Sequence, residues 1–283
     1  MKKSRRHALG QHFLASPAVL RKIVEIISPR REDVLVEIGA GKGILTAALA
    51  ERAGRVIAIE KDGRLIPGLR KAVPGNVEVV EGDALTFNFR GTLRAAGIPA
   101  VRVVGNLPYS ISSPILRRVL EERDLFTDCV FLLQKEVAAR IPAGPGSKKY
   151  APLSILLQNY FEARVEFTVA PGSFSPPPKV QSALLTLRRR PAPLQAGADD
   201  PKYAAFLRSA FSERRKQLRK NLERRVGAGA LAAAFGRCGL LPNVRAEQVT
   251  PDAFAALFNA LRQGAESSER PSEVRRSGSE PHF

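Results

Sequence analysis

The chain has 283 residues and a mass of 30.8 kDa, and 44% of the residues are hydrophobic, which excludes wholesale disorder. Lysine and arginine outnumber aspartate and glutamate by 45 to 27, and this formal charge of +18 favours a polyanionic partner. Two cysteines and three histidines argue against a disulfide scaffold or a metal centre, and the sequence has no apolar run long enough to span a membrane.

Apolar patterning predicts alternating strands and helices over the first 190 residues. Strands are expected at 34–38, 55–59, 77–80, 101–104 and 129–133. Helices are expected at 17–28, 46–52, 65–73, 114–122, 134–140 and 151–161. Two more strands, at 162–169 and 182–188, flank a proline-rich loop. This alternation is typical of an α/β protein with a parallel, doubly wound sheet.

The composition changes after residue 190 and divides the chain into domains. Residues 1–190 form the predicted α/β domain, and a linker rich in proline, alanine and glycine follows it. Residues 200–262 are rich in alanine with helical periodicity, which predicts a small helical domain. Residues 263–283 contain few apolar side chains, and we expect this tail to be disordered.

The positive charge is concentrated in the predicted helical domain. Residues 202–225 carry nine lysines and arginines against two glutamates. A cluster of one sign indicates phosphate contacts, although a basic surface that serves only solubility is an alternative. The candidate RNA-binding residues are Arg214, Arg215, Lys216, Arg219 and Lys220.

A glycine-rich turn follows the first predicted strand. The segment VEIGAGKGILT places Gly39, Gly41 and Gly43 directly after residues 34–38. Glycines in such a turn let the backbone bend sharply and approach a ligand closely. The spacing matches neither the dinucleotide-binding motif nor the phosphate-binding P-loop.

Two acidic residues follow the next two predicted strands. Glu60 ends the second strand and can accept hydrogen bonds from both hydroxyls of a ribose. Asp83 follows the third strand, where it can accept from an adenine amino group. Glu60 would repel the 2′-phosphate of NADP. The pattern therefore favours a nucleoside without phosphates, such as S-adenosylmethionine.

A third signal, GNLPYSISSPI, follows the fourth predicted strand. The exocyclic amine of adenine is a poor nucleophile because its lone pair is delocalised into the ring. The side-chain carbonyl of Asn106 and the backbone carbonyl of Pro108 can accept hydrogen bonds from this amine and localise the lone pair. Tyr109 can stack on the purine. This segment predicts methyl transfer to adenine N6.

Eight segments of the sequence together resemble one family. They are GQHFL, VEIGAGKGILT, IEKD, EGDAL, GNLPYSISSP, LLQKEVAARI, FSPPPKVQSALL and AFSERRKQLRKNL. Their order and content are similar to those of the ribosomal RNA adenine N6,N6-dimethyltransferases, and within these to the small-subunit enzymes. The resemblance covers about residues 5 to 262.

The resemblance implies a Rossmann-like class I S-adenosylmethionine-dependent methyltransferase domain with a small all-helical C-terminal domain. The cofactor-binding positions that it implies, together with the glycine turn, are His12, Leu14, Gly39, Gly41, Glu60, Asp83 and Asn106. The family usually has asparagine where this chain has His12. Phe174 resembles the aromatic residue that stacks on the adenine opposite Tyr109.

The resemblance also implies the substrate and the setting of the reaction. Two adjacent adenines near the 3′ end of 16S ribosomal RNA would each be methylated twice, in the precursor of the small ribosomal subunit. We expect a cytoplasmic monomer that does not bind membranes. Two alternatives remain open: a 23S ribosomal RNA dimethyltransferase of the erythromycin-resistance type, and a mainly non-catalytic ribosome-assembly factor. Leu107 argues against the resistance type, which usually has isoleucine there.

Overall fold

The computed structural model describes residues 11–194 and 200–268. The chain divides into two compact units between Leu194 and Gln195, within the segment after residue 190 where the composition changes. No helix in the described ranges is long and apolar enough to cross a membrane.

A seven-stranded mixed sheet forms the centre of the first unit. Its strands are β2 (Val34–Ile38), β3 (Arg55–Glu60), β4 (Val77–Glu81), β5 (Val101–Asn106), β6 (Phe126–Gln134), β7 (Phe161–Val169) and β9 (Ser182–Arg189). The strand order is β4-β3-β2-β5-β6-β9-β7. Strands β2 to β6 are parallel, as expected, whereas β9 pairs antiparallel with both β6 and β7. The parallel order predicted for the first five strands of the sheet is confirmed, and β7 and β9 extend it as an antiparallel pair joined by a loop without a crossover helix.

Seven helices connect or flank these strands in the described part of the first unit. They are α1 (Pro17–Ile27), α2 (Ile44–Ala50), α3 (Ile66–Ala72), α4 (Phe89–Ala95), α5 (Ser112–Glu121), α6 (Lys135–Ala138) and α7 (Pro152–Tyr160). Ser16 caps α1, since its hydroxyl accepts from the amide of Val19, and Pro17 suits the first helical turn. The patterning did not predict α4, a seven-residue helix that Asn88 caps and that contains Gly91.

Apolar side chains fill both faces of the sheet. On β2, Val36 and Ile38 belong to one buried cluster, and Leu35 belongs to the cluster on the opposite face. This alternation follows from the two-residue period of a strand. Connections from β2 and from β5 lead to opposite sides of the sheet, so a crevice opens at the carboxyl ends of these two neighbouring strands.

A two-stranded sheet that the sequence did not predict lies beside the main one. Strand β1 (Phe13–Leu14) pairs antiparallel with β8 (Phe174–Ser175). The backbone amides of Ala15 and Ser16 also donate to the carbonyl of Ser173. These contacts attach the N-terminal segment to the proline-rich loop between β7 and β9.

The second unit is helical in its described residues. Its helices are α8 (Asp200–Ala210), α9 (Leu218–Leu222), α10 (Ala228–Arg237) and α11 (Pro251–Ser268). Aromatic rings of α8 and α11 pack together, with Tyr203 and Phe206 each within 5.4 Å of the ring centroid of Phe258. The amide of Asn221 donates to the carbonyls of Ala210 and Glu213, which joins α9 to the end of α8.

Helix α11 reaches into the segment for which the composition predicts disorder. The helix continues to Ser268, so residues 263–268 of the predicted tail are helical. The remainder of that tail, 269–283, lies outside the described residues.

Candidate active site

The glycine turn between β2 and α2 forms the floor of the crevice. Gly39, Gly41 and Gly43 have φ angles of 75°, 59° and 82°, a region that disfavours other residues. A Cβ atom at Gly41 would lie 3.0 Å from the ring of Phe13, and one at Gly43 would lie 2.8 Å from Leu69. The positive φ angles therefore favour glycine at all three positions, and at Gly41 and Gly43 a side chain would also have to push a neighbouring side chain aside.

Glu60 holds this turn against the end of β3. One carboxylate oxygen accepts from the amide of Gly41 at 2.8 Å, and the other accepts from the amide of Asp62 at 2.8 Å. The side chain is buried, yet each oxygen retains a further lone pair. The predicted contact with ribose hydroxyls is compatible with this geometry.

Asp83 lies just beyond the end of β4, on the same edge of the sheet. Its carboxylate accepts from the amide of Leu85 at 3.0 Å and from the ammonium of Lys61 at 2.6 Å. The hydrogen bond from Lys61 holds the pKa of Asp83 below its ordinary value. Asp83 is therefore ionised at neutral pH and acts only as an acceptor.

Asn106 is the last residue of β5, and its side-chain amide has a fixed orientation. The amide nitrogen donates to the backbone carbonyl of His12 at 2.9 Å. Since a carbonyl can only accept, the nitrogen must face His12 and the side-chain oxygen must face away. The oxygen of Asn106 is thereby left as an acceptor at the crevice.

The backbone carbonyl of Pro108 is predicted to accept from the adenine amine, and it also has donors within the protein. This carbonyl already accepts from the amide of Ile111 at 3.0 Å and from the hydroxyl of Ser112 at 3.4 Å. These contacts build the short turn Tyr109–Ile111 that leads into α5. Any additional donor must use the remaining capacity of this carbonyl oxygen.

Tyr109 and Phe174, the two predicted stacking residues, line the same cleft but differ in exposure. The hydroxyl of Tyr109 is hydrogen-bonded to that of Ser182 at 2.8 Å, and its ring is partly exposed. Phe174 is only 4% exposed and belongs to the buried core. Phe174 therefore lines the smaller cleft with only a small part of its surface accessible.

The N-terminal segment closes the crevice from the side. The ring nitrogen Nδ1 of His12 is 2.8 Å from the carbonyl of Pro176, and its ring lies 5.6 Å from that of Tyr109. Leu14 is buried in the core and lines the crevice. His12 and Leu14 thus border the crevice, and the cofactor contacts that the resemblance implies for them remain predictions.

Two neighbouring clefts meet in this crevice. One, of about 490 Å³, is lined by the glycine turn and by apolar residues of β1, α1 and β6. The other, of about 370 Å³, is lined by residues 11–13, residues 106–109 and Phe174. Phe13, Gly39 and Asn106 line both. Two ligands placed in these clefts would meet beside Asn106.

Two polar residues of this site, Ser182 and Glu37, were not predicted from the sequence. Ser182 contacts Tyr109 across 73 positions of the chain, a separation that local patterning does not report. Glu37 lies within the quoted glycine motif, is 1% exposed and lines the larger cleft. An acidic residue inside an otherwise apolar strand was the available signal for Glu37.

The five candidate RNA-binding residues belong to the second unit. Arg214, Lys216 and Arg219 form ion pairs with Glu247, Glu213 and Glu223. Arg215 and Lys220 are exposed and form no ion pair within the described ranges. Arg225, which the prediction did not include, shares this environment.

The names of known proteins similar to this chain describe the methylation of ribosomal RNA. A family model described as ribosomal RNA adenine dimethylase matches residues 2–263. Proteins named ribosomal RNA small subunit methyltransferase A are similar: that of Geobacter metallireducens is 42% identical over 90% of this chain and 95% of its own length. The one from Myxococcus xanthus is 39% identical over 95% of both chains.

Solved structures give the same result. A dimethyladenosine transferase from Plasmodium falciparum superposes with a TM-score of 0.75 and 26% identity, over 90% of this chain and 98% of that one. The 23S ribosomal RNA methyltransferase ErmE superposes with a TM-score of 0.71 and 29% identity, over 89% of this chain and all of that one. The chain therefore belongs to the ribosomal RNA adenine dimethylase family.

Proposed function

We propose that this protein transfers methyl groups from S-adenosylmethionine to N6 of two adjacent adenines in the 3′-terminal hairpin of 16S ribosomal RNA. We infer the substrate from the names of relatives that are about 40% identical over nearly the whole chain. The observation that carries the chemistry is the fixed amide of Asn106 at the junction of two clefts.

The order of the strands supports the cofactor. From the sheet edge inward, Asp83 follows β4, Glu60 ends β3 and the glycine turn follows β2. With its adenine in contact with Asp83 and its ribose in contact with Glu60, the cofactor directs its amino-acid end toward β2. When bound, S-adenosylmethionine supplies an electrophilic methyl group attached to a positively charged sulfur. Asn106, on β5, is next in this order.

Asn106 activates the target by accepting a hydrogen bond. Its side-chain oxygen faces away from His12 and can accept from the N6 amine of an adenine in the smaller cleft. This contact localises the nitrogen lone pair and orients it toward the larger cleft. Catalysis is then mainly positioning and electrostatics, and it needs no base before attack, since the amine becomes acidic only after alkylation.

Tyr109 provides the aromatic surface on which the flipped adenine stacks. The bond of its hydroxyl to Ser182 holds the ring at the mouth of the smaller cleft. Phe174, which lines the same cleft, serves as the opposite face. The same cleft must also admit a monomethylated adenine for the second transfer.

The second unit supplies affinity for the RNA backbone through its basic residues. Arg215 and Lys220 are the members of the predicted set that have no ion-pair partner within the described ranges, so their charges are available to phosphates. Because the substrate is ribosomal RNA, we place the reaction in the cytoplasm, on a precursor of the small subunit, with the protein acting as a monomer.

Methyl transfer from labelled S-adenosylmethionine tests this proposal. Small subunits that lack the modification and unmodified large-subunit RNA are assayed in parallel, and the labelled adenines are mapped. Label at paired adenines near the 3′ end of the small-subunit RNA is expected. Label only in large-subunit RNA would assign the protein to the resistance type. Tight subunit binding without label would identify an assembly factor.

A further inference from the structure

An arginine on helix α5 has no role in the function proposed above. The guanidinium of Arg118 donates to the backbone carbonyls of Leu85 and Phe87, at 2.7 and 2.8 Å. These two carbonyls lie 33 and 31 positions earlier in the chain, in the turn that begins at Asp83. Arg118 therefore connects α5 to the turn in which the proposed adenine contact lies.

The turn from Asp83 to Phe87 is built around Asp83 itself. The backbone carbonyl of Asp83 accepts from the amides of Thr86 and Phe87, both at 2.9 Å. One oxygen of its carboxylate accepts from the amide of Leu85 at 3.0 Å. The carbonyl of Leu85 and the amide of Thr86 share one planar peptide group. The bond from Arg118 to this carbonyl therefore fixes an amide that holds Asp83.

The guanidinium of Arg118 has a fixed position of its own. Its carbon lies 5.3 Å from the ring centroid of Phe89, and one of its nitrogens donates to the carboxylate of Glu122 at 3.2 Å. The side chain is only 18% exposed, and its Nε is buried without a hydrogen-bond partner among the described residues. An unpaired buried donor is costly. The guanidinium is thus held where it serves its carbonyl partners, although one of its own donors is left unpaired.

The other contact of the Asp83 carboxylate is a weaker anchor. Its second oxygen accepts from the ammonium of Lys61 at 2.6 Å, but the side chain of Lys61 is 62% exposed. An ion pair with an exposed lysine stabilises little, because the long side chain loses freedom and water screens the charges. The orientation of Asp83 therefore depends mainly on the turn that Arg118 holds.

We propose that Arg118 is a positioning residue for the adenine of the cofactor. It holds the turn after Asp83 so that the carboxylate of Asp83 can accept from the adenine amine. This inference rests on the proposed cofactor and on the predicted contact of Asp83. Arg118 lines neither cleft and acts through Asp83, so its loss should weaken adenine recognition and spare the methyl-transfer step.

Binding of two matched ligands to the whole protein tests the role of Arg118. S-adenosylhomocysteine is compared with its analogue in which purine replaces adenine, so that only the amino group is missing. Isothermal titration calorimetry gives both dissociation constants. The unaltered protein is expected to prefer the adenine ligand by on the order of tenfold, because Asp83 is ionised and hydrogen bonds to charged groups are strong.

Arg118→Met keeps an unbranched apolar side chain and removes every donor. We expect the preference for adenine to fall to within about threefold, and the affinity for the purine ligand to change by less than about twofold. The KM for S-adenosylmethionine should rise about tenfold, with kcat within about twofold of normal.

Arg90→Met is the matched control. Arg90, on α4, pairs with Glu122 at 3.5 Å and with Asp124 at 2.8 Å, so it shares an ion-pair partner with Arg118. This variant should keep the ligand preference and the kinetic constants of the unaltered protein. Thermal unfolding verifies that each variant folds.

Two further variants show whether Arg118 acts through Asp83. Adding Arg118→Met to Asp83→Ala is expected to weaken binding of S-adenosylhomocysteine by less than about twofold, since the acceptor is already lost. Arg118→Lys keeps the charge, but one ammonium holds two carbonyls less well than a guanidinium. Its preference for adenine should lie between those of Arg118→Met and the unaltered protein, and it serves as the test if Arg118→Met does not fold.

Several results would overturn the role of Arg118. One is equal weakening of both ligands in a folded Arg118→Met protein, which is the result of a general loss of structure. Others are an undiminished preference for adenine in Arg118→Met or Arg118→Lys, a fall in kcat at an unchanged KM, and losses that multiply with Asp83→Ala.

The unaltered protein separates these failures from that of the proposed function. If it binds both ligands without preference, the adenine contact of Asp83 is wrong and the role of Arg118 falls with it, whereas the cofactor stands. Failure of both ligands to bind would refute the proposed cofactor itself.

Discussion

At the scale of single residues, a hydroxyl pair holds the aromatic ring of the smaller cleft in place. Tyr109 lies on a short turn, but its hydroxyl bonds to Ser182, the first residue of β9. Ser182 is buried and pairs with Gln134 and Val169 on the two neighbouring strands. Ser182, held in β9 by its pairing with two neighbouring strands, therefore fixes the ring of Tyr109, which lies on a loop.

Removing this anchor is expected to weaken catalysis without unfolding the protein. Ser182→Ala frees the ring of Tyr109, so kcat/KM for the RNA substrate falls by roughly three- to tenfold, while binding of S-adenosylhomocysteine is unchanged. Tyr109→Phe keeps the ring and loses the same hydrogen bond, so its effect should be similar. Steady-state methyl transfer by the two variants is the measurement.

The double variant separates positioning from a general loss of structure. If the two hydroxyls act together, combining Ser182→Ala with Tyr109→Phe costs about as much as either change alone. Losses that multiply would show that the two residues act independently. Such a result would remove Ser182 from the site.

Some site residues could be predicted because strand ends converge. Glu60 and Asp83 each follow a parallel strand, and the carboxyl ends of such strands meet at one edge. Glu37 lies within a strand and not after one, so this rule does not select it, and its only signal was an acidic residue in an otherwise apolar strand. The contact of Ser182 depends on chain pairing that no local pattern specifies.

At the scale of elements, one arginine connects a helix to two strands at the amino ends of the strands, on the side of the sheet opposite the site. Arg102 on β5 bonds to Asp33 at 2.6 Å and to both carboxylate oxygens of Asp128, at 2.9 and 3.0 Å. It also donates to the carbonyls of Ile27 and Ser28, where α1 ends. The guanidinium thus satisfies the end of a helix and connects it to two strands.

Arg102→Ala is expected to lower the free energy of unfolding by about 2–4 kcal/mol, because two carboxylates and two carbonyls lose their donor in a poorly solvated position. Arg55→Ala is the control: its pair with Glu78 is far more exposed, and its loss should cost less than about 1 kcal/mol. Chemical denaturation measures both. Equal small losses would contradict the role given to Arg102.

The elements that the sequence did not predict share a physical cause. Strands β1 and β8 have two residues each, too few for a periodic pattern. The direction of β9 depends on the loop that connects it to β7. Its own residues predict a buried strand, but they do not indicate whether it is parallel or antiparallel. Helix α11 extends into a polar segment because the buried residues before that segment already stabilise the helix, and adding a turn to an existing helix is easier than starting one.

At the scale of the whole molecule, the basic charge of the second unit should control RNA affinity through salt. Changing Arg215, Lys220 and Arg225 to glutamine removes three exposed charges that have no ion-pair partner in the described residues. The slope of log affinity against log salt concentration should become shallower by about 2 to 3, since each of the three phosphate contacts contributes about 0.7 to 0.9. Filter binding to small-subunit RNA at several salt concentrations measures the slope.

A charge-matched control distinguishes contact from general electrostatics. Arg70, Lys71 and Arg94 are exposed basic residues of the first unit, and changing them to glutamine removes the same total charge. This control should leave the slope nearly unchanged. If both triple variants lower the slope equally, the charge of the whole protein controls binding and the second unit has no special role.

One comparison shows whether Asn106 activates an adenine of the small-subunit RNA beside a bound cofactor. Dimethyladenosine is mapped and counted by mass spectrometry after small subunits react with the unaltered protein or with Asn106→Ala, and the affinity for S-adenosylhomocysteine is measured for both proteins. The activating role of Asn106 predicts dimethylation of two adjacent adenines by the unaltered protein, and a rate at least about a hundredfold lower for the variant at similar cofactor affinity. Methyl transfer by Asn106→Ala at the normal rate, or an equal loss of transfer and cofactor binding, would contradict it.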